Sequence, residues 1–240
     1  MEMIKVLNFL GQLLPTLSGY AAEKKYGWFR QTLLQGLNYM VFLNLIASVL
    51  LFVLAEPIVR LLFERGQFDF ESTQRVASAL RCLAPGLICF SGVNILARAF
   101  YSLGDTRGPM WIGVFCFGVN LLLSATLIHP FRQAGLGLAN TISSLLNLLL
   151  LLYALRRKMP KLELAQQLPP LLKMAAAALL AAGVALLGLH FCTVHLHSLA
   201  LWAKLGAVFL PALGAAAAYF AAAAALRIAF VKDLMRLIFP

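Results

Sequence analysis

The stretch Ala97-Arg98-Ala99-Phe100-Tyr101-Ser102-Leu103-Gly104-Asp105-Thr106-Arg107-Gly108-Pro109 lies between two long apolar runs. It gathers two arginines, an aspartate, a Gly-Asp pair and a Gly-Pro pair in a few residues. Gly and Asp supply turn chemistry, and proline suits the first turn of a following helix. The stretch therefore predicts a short polar hinge joining two membrane-spanning helices.

Working outward from the hinge, the apolar runs repeat. The first full span is expected at residues 33–55, where Glu56-Pro57 interrupts it; residues 58–63 continue to the charged turn Glu64-Arg65-Gly66. A loop is expected at residues 67–73, holding Asp69 and Glu71. Further spans are expected at residues 76–97, 110–128, 136–155, 172–191 and 205–226. Each approaches or exceeds the roughly 20 apolar residues that cross a bilayer. Residues 1–14 are apolar but too short to cross, and they lack the pattern of a secretory signal. They read as part of a helix, and residues 18–30 as a polar segment with Lys24, Lys25 and Arg30. The runs do not alternate as barrel strands would, so the backbone must satisfy itself as helices. The expected fold is an all-α, polytopic membrane bundle of about six full transmembrane helices plus one partial N-terminal helix.

Composition agrees. Hydrophobic residues make up 62% and charged residues 12%, with mean hydropathy +0.86. A soluble domain carries about twice that share of charge. The net charge of +11 does not indicate nucleic acid, because the basic residues are scattered between apolar spans rather than forming one patch. Cys82, Cys89, Cys116 and Cys192 form no CxxC pair and read as small buried hydrophobes. The charge asymmetry sets an orientation: thirteen Lys and Arg fall on the side of the hinge and the C-terminus, and six on the opposite side, with Lys5 in the partial helix. The positive-inside rule places the richer side in the cytoplasm.

No catalytic constellation is present: the sequence holds no HExxH, P-loop, Gly-x-Ser-x-Gly or paired carboxylate within a span. His190, His195 and His197 are expected to share one outer loop, where the absence of a nearby Cys pair or carboxylate argues against zinc. Polar residues inside spans carry more information, since an amide in hydrocarbon is costly unless it faces protein or a wet cavity. They are Asn94, Asn120, Ser124, Asn140, Thr141 and Asn147. Asn120 and Ser124 lie four apart, on one helix face. Interhelical hydrogen bonding and lining of a path are both open to these residues. Arg81 and Arg98 flank the second span; each can snorkel toward headgroups or grip a pyrophosphate with its forked donors.

Several motifs together resemble the lipid II flippase (MurJ/MviN) family, part of a superfamily of multidrug and polysaccharide exporters. They are the Ala97-x-x-Phe100-Tyr101 and Asp105-Thr106-x-x-Pro109 hinge, Leu13-Leu14-Pro15-Thr16-Leu17-Ser18, the run from Ala55 to Gly66, and Gly135-Leu136-Gly137-Leu138-Ala139. The resemblance implies a flippase, not an enzyme, translocating an undecaprenyl-pyrophosphate-linked peptidoglycan precursor, lipid II, across the bacterial inner membrane by alternating access. It implies that residues 1–158 are later helices of the second transporter lobe. Residues 159–240 would then be two C-terminal helices forming a lipid-tail groove, with a cytoplasmic tail. On this reading the partners are lipid II, membrane lipids and an N-terminal lobe, supplied by further sequence or by a separate chain. The substrate path would use Arg81, Asn94, Arg98 and Asn140. Some relatives hold sodium with an Asn and an Asp at the Asn120 and Ser124 positions, with help from the Asn140 position. Ser124 removes that carboxylate, and hard cations favour carboxylate oxygen. No other cofactor is implied. The alternatives are another exporter of the superfamily, or a non-transporting membrane scaffold.

Overall fold

The computed structural model describes residues 12–63, 69–159, 167–195, 201–226 and 228. The described residues are helical apart from short connections. The helices are α1 (Leu13–Ala22), α2 (Tyr26–Val53), α3 (Ala55–Phe63), α4 (Phe70–Leu83), α5 (Gly86–Ser102), α6 (Arg107–Phe131), α7 (Gln133–Lys158), α8 (Leu168–His195) and α9 (Leu201–Ala225). Five helices are individually long and apolar enough to cross a membrane: α2, α6, α7, α8 and α9. A sixth crossing comes from α4 and α5 together, which bend by 41° at their junction. The expected six spans are present, and the protein is a multi-pass membrane bundle. The partial N-terminal helix is described from Leu13 only, and α1 has 10 residues.

Boundaries depart from expectation where local chemistry overrides apolarity. The segment at residues 18–30 is not an extended polar stretch. α1 runs to Ala22, a turn follows with Lys24 at φ +55°, and α2 begins at Tyr26. The span expected at residues 76–97 is two helices, because Pro85 lacks the N–H that would continue the ladder. Two carbonyls at the break accept from hydroxyls of other helices. Thr141 Oγ1 of α7 donates to the Cys82 carbonyl at 2.7 Å, and buried Ser48 Oγ of α2 donates to the Ala84 carbonyl at 2.7 Å. Hydroxyls that satisfy a broken helix are what permit proline within a bilayer. α7 approaches this break closely. A Cβ on Gly137 would lie 2.7 Å from the Ala79 carbonyl oxygen, so no larger residue fits there. The loop expected at residues 67–73 is shorter. Asp69 caps α4, its carboxylate accepting from Ser72 N–H at 2.8 Å, and Glu71 and Thr73 lie in the helix.

Two apolar cores meet on α2. Near its start, Phe29 and Leu33 pack with Leu13 and Leu17 of α1, Leu96 and Phe100 of α5, and Leu155 of α7. Toward its middle, Tyr39, Phe42 and Ile46 pack against α8 and α9. There the alanine runs have their use. Ala177, Ala178, Ala181 and Ala185 of α8, with Ala215 and Ala223 of α9, are buried and let the backbones approach. In lipid the drive for such packing is van der Waals contact, which small residues increase. Tyr219 fills the remaining space, 4.8 Å from the Phe42 ring, and its hydroxyl donates to the Phe42 carbonyl at 2.9 Å. α6 is the least enclosed helix, with Trp111, Phe115, Phe117 and Leu122 exposed.

Candidate functional site

The hinge is a fastened corner. α5 ends at Ser102 and α6 begins at Arg107, so Arg98 and Arg107 both belong to helices and only residues 103–106 form the loop. Gly104 turns the chain at φ +76°, a conformation that favours glycine. Asp105 accepts from Gly108 N–H at 2.9 Å and so caps the start of α6. Its other carboxylate oxygen is ion-paired with Lys158, at the end of α7. The Lys158 ammonium also lies 5.6 Å over the Phe100 ring of α5. One carboxylate thus ties the neighbouring ends of α5, α6 and α7. The Lys158 ammonium, and secondly the Gly108 N–H, hold the Asp105 carboxyl below its ordinary value.

The polar residues of α6 and α7 form a seam. Asn120 Nδ2 donates to Ser143 Oγ at 2.8 Å, and Ser143 Oγ donates to the Asn140 carbonyl at 3.0 Å. Asn120 therefore engages Ser143, which sequence reading did not single out. The available signal was its place three residues after Asn140, a small hydroxyl inside an apolar span. Ser124 is half-buried one turn further along α6, and the Asn140 side chain is exposed. One turn beyond Ser143, Asn147 buries an amide oxygen that has no hydrogen-bond partner among the described residues. The seam offers neutral oxygens only. Among the described residues no group of three His, Cys, Asp or Glu is placed to hold a metal ion.

Of the four expected path residues, Arg81 and Arg98 lie toward opposite ends of the bent α4–α5 crossing. Arg81, in the last turn of α4, has Nη2 3.5 Å from Glu56 Oε2. Arg98 sits on α5 about 26 Å of helix away, at a rise of ~1.5 Å per residue. Asn94 and Arg98 are four apart on one face of α5, with Asn94 exposed and Arg98 half-buried. The expected histidine loop is corrected. His190 lies within α8 and His195 ends it, while His197 falls outside the described residues.

Six apolar crossings, a proline-broken span capped by hydroxyls, and mid-span amides on exposed helix faces define a polytopic α-helical membrane protein. Residues 4–205 match the family described as lipid II flippase MurJ, and the chain belongs to that family. It is 32% identical over 165 residues to a probable lipid II flippase MurJ of Bdellovibrio bacteriovorus, covering 69% of this chain and 32% of that protein. It is 38% identical over 117 residues to a probable lipid II flippase MurJ of Rhizobium meliloti, covering 49% of this chain and 22% of the relative. A solved lipid II flippase MurJ in an inward closed conformation matches with a TM-score of 0.69 at 18% identity. That match covers 98% of this chain and 46% of the solved one, and it shows the fold. The chain thus spans about a third or less of these curated relatives, and under half of the solved chain.

Proposed function

We propose that this chain is the C-terminal part of a lipid II flippase, which moves undecaprenyl-pyrophosphate-linked peptidoglycan precursor across the bacterial inner membrane by alternating access. It would act as a transporter, not an enzyme, with an N-terminal lobe as its partner, supplied by further sequence or by a separate chain. Membership of the family supports the substrate class. The observation that carries the transport role is Asn94, an amide exposed partway along a membrane-crossing helix. Hydrocarbon is a poor environment for an amide, so such a group faces protein or water. On this reading the α5 face bearing Asn94 and Arg98 lines a wet path between two lobes, with the exposed Asn140 on α7. Alternating access needs a second body moving against the first.

Residues 1–158 contribute to the second lobe, and residues 159–240 supply the tail groove through α8 and α9. The hinge and the C-terminus face the cytoplasm, on the charge asymmetry. The α6–α7 seam serves as an interhelical clasp rather than a sodium site, since it lacks a carboxylate. The test is lipid II flipping in liposomes by a complete protein containing this segment. Wild type should flip lipid II, and Asn94→Leu should flip several-fold more slowly at equal insertion. Equal rates would remove Asn94 from the path, and no flipping by the wild type would remove the function.

A further inference from the structure

Nine of the eleven residues from Ala215 to Ala225 are alanine, and the other two are Tyr219 and Phe220. A surface of repeated methyl groups specifies a packing partner poorly, because a slip of one turn or a small roll presents nearly the same shape. α9 meets α2 with such a surface.

Tyr219 breaks the degeneracy. Ala215, Tyr219 and Ala223 stand four residues apart on one face of α9, and all three are 0% exposed. The Tyr219 ring lies 4.8 Å from the Phe42 ring of α2, and its hydroxyl donates to the Phe42 carbonyl at 2.9 Å. A phenylalanine would fill the same apolar space with no hydroxyl to satisfy. What the hydroxyl adds is direction, since it meets that carbonyl at one depth and one roll of α9.

Phe220 shows what this placement controls. Its ring stands edge-on to Phe42 at 5.8 Å and to Tyr219 at 6.0 Å, yet the residue is 38% exposed. Across residues 214–225 it is the one large exposed side chain, beside exposed Ala217 and Ala221.

We propose that Tyr219 is a positioning residue that pins α9 to α2 and thereby sets Phe220 as a wall for the polyprenyl tail of the transported lipid. The inference rests on the reading of α8 and α9 as the tail groove. Without the pin, α9 keeps its apolar burial but loses its single register, and Phe220 shifts along the groove. The effect falls on substrates whose tails reach that ring.

The test uses the complete protein containing this segment, in a cysteine-free background. With spin labels on Ala47→Cys of α2 and Ala217→Cys of α9, both exposed positions, the distance distribution should be single and narrow. Tyr219→Phe should broaden or split it. An unchanged distribution would overturn the pin, whether or not the protein flips lipid. In liposomes, Tyr219→Phe should raise KM for lipid II with its full polyprenyl tail roughly fivefold at unchanged kcat, the loss expected for one hydrogen bond. KM for a short-tailed analogue should not move, and Phe220→Ala should reproduce the pattern. A rise for both substrates alike, or a fall in kcat alone, would overturn the tail-positioning role. If Tyr219→Phe fails to insert, Phe220→Ala carries the kinetic test with the same outcomes. No flipping by the wild type would overturn the flippase reading and the tail role with it, while the spin-label result still decides the pin.

Discussion

Lys158, at the end of α7, is ion-paired with Asp105, which caps the start of α6, although the two are 53 residues apart in sequence. The pair closes the corner that joins α5, α6 and α7. Its stability contribution has a defined sign with pH. The Asp105 carboxyl is depressed in the folded state, so the contribution is present above the ordinary aspartate range. It is lost as pH falls through the folded value, below about 4. The ammonium is exposed enough to limit the pair to about 0.5–1 kcal/mol. Thermal unfolding from pH 7 down to pH 3 should show wild type converging on Asp105→Asn. A constant gap between them at all pH values would contradict the latch.

The broken span makes a second prediction. Thr141→Val keeps the shape of the side chain but strips the Cys82 carbonyl of its donor. The cost should be about 1–2 kcal/mol, seen as a lower midpoint in denaturant titration. Thr126→Val offers a control, because that hydroxyl only bonds back to carbonyls of its own helix. If both variants unfold at the same midpoint, the hydroxyl does not support the break.

Asn120 and Ser143 should be energetically coupled. A double-mutant cycle with Asn120→Ala and Ser143→Ala should give about 0.6 kcal/mol, and no more than ~1.7. Exchanging sodium for potassium should leave the unfolding midpoint unchanged, whereas Ser124→Asp should introduce sodium dependence. Sodium stabilisation of the wild type would mean that the neutral seam holds the ion after all.

Orientation can be read from labelling. In a cysteine-free background, Gln67→Cys should react with an impermeant thiol reagent added outside the cell, and Ser102→Cys should not. The reverse pattern would invert the assignment drawn from basic residues.

The spans were legible in the sequence because hydrocarbon imposes one dominant requirement, an unbroken apolar length, and α6 to α9 meet it. The hinge was legible through Gly104, Asp105 and Pro109, whose preferences are local. The break at Pro85 was hidden, because its repair lies in Thr141 and Ser48, distant residues whose hydroxyls look incidental along the chain. Glu71 and Thr73 were expected in a loop because charge outweighed the capping signal of Asp69. For the candidate site, Asn120 stood out as a mid-span amide. Its partner did not, since spacing along α6 pointed to Ser124, whereas the packing of α7 delivers Ser143. Pairing across antiparallel helices depends on their register, which no single helix encodes.

The most direct test is rescue of a bacterium depleted of its own lipid II flippase. Two strains would be compared, one expressing residues 1–240 alone and one expressing them with the N-terminal portion of a relative. Growth and cell shape should be restored only in the second, because under the proposed function the chain is one of the two bodies that alternating access requires. Rescue by residues 1–240 alone would contradict the two-body account. Failure of the complete, membrane-inserted protein to rescue would contradict the flippase reading.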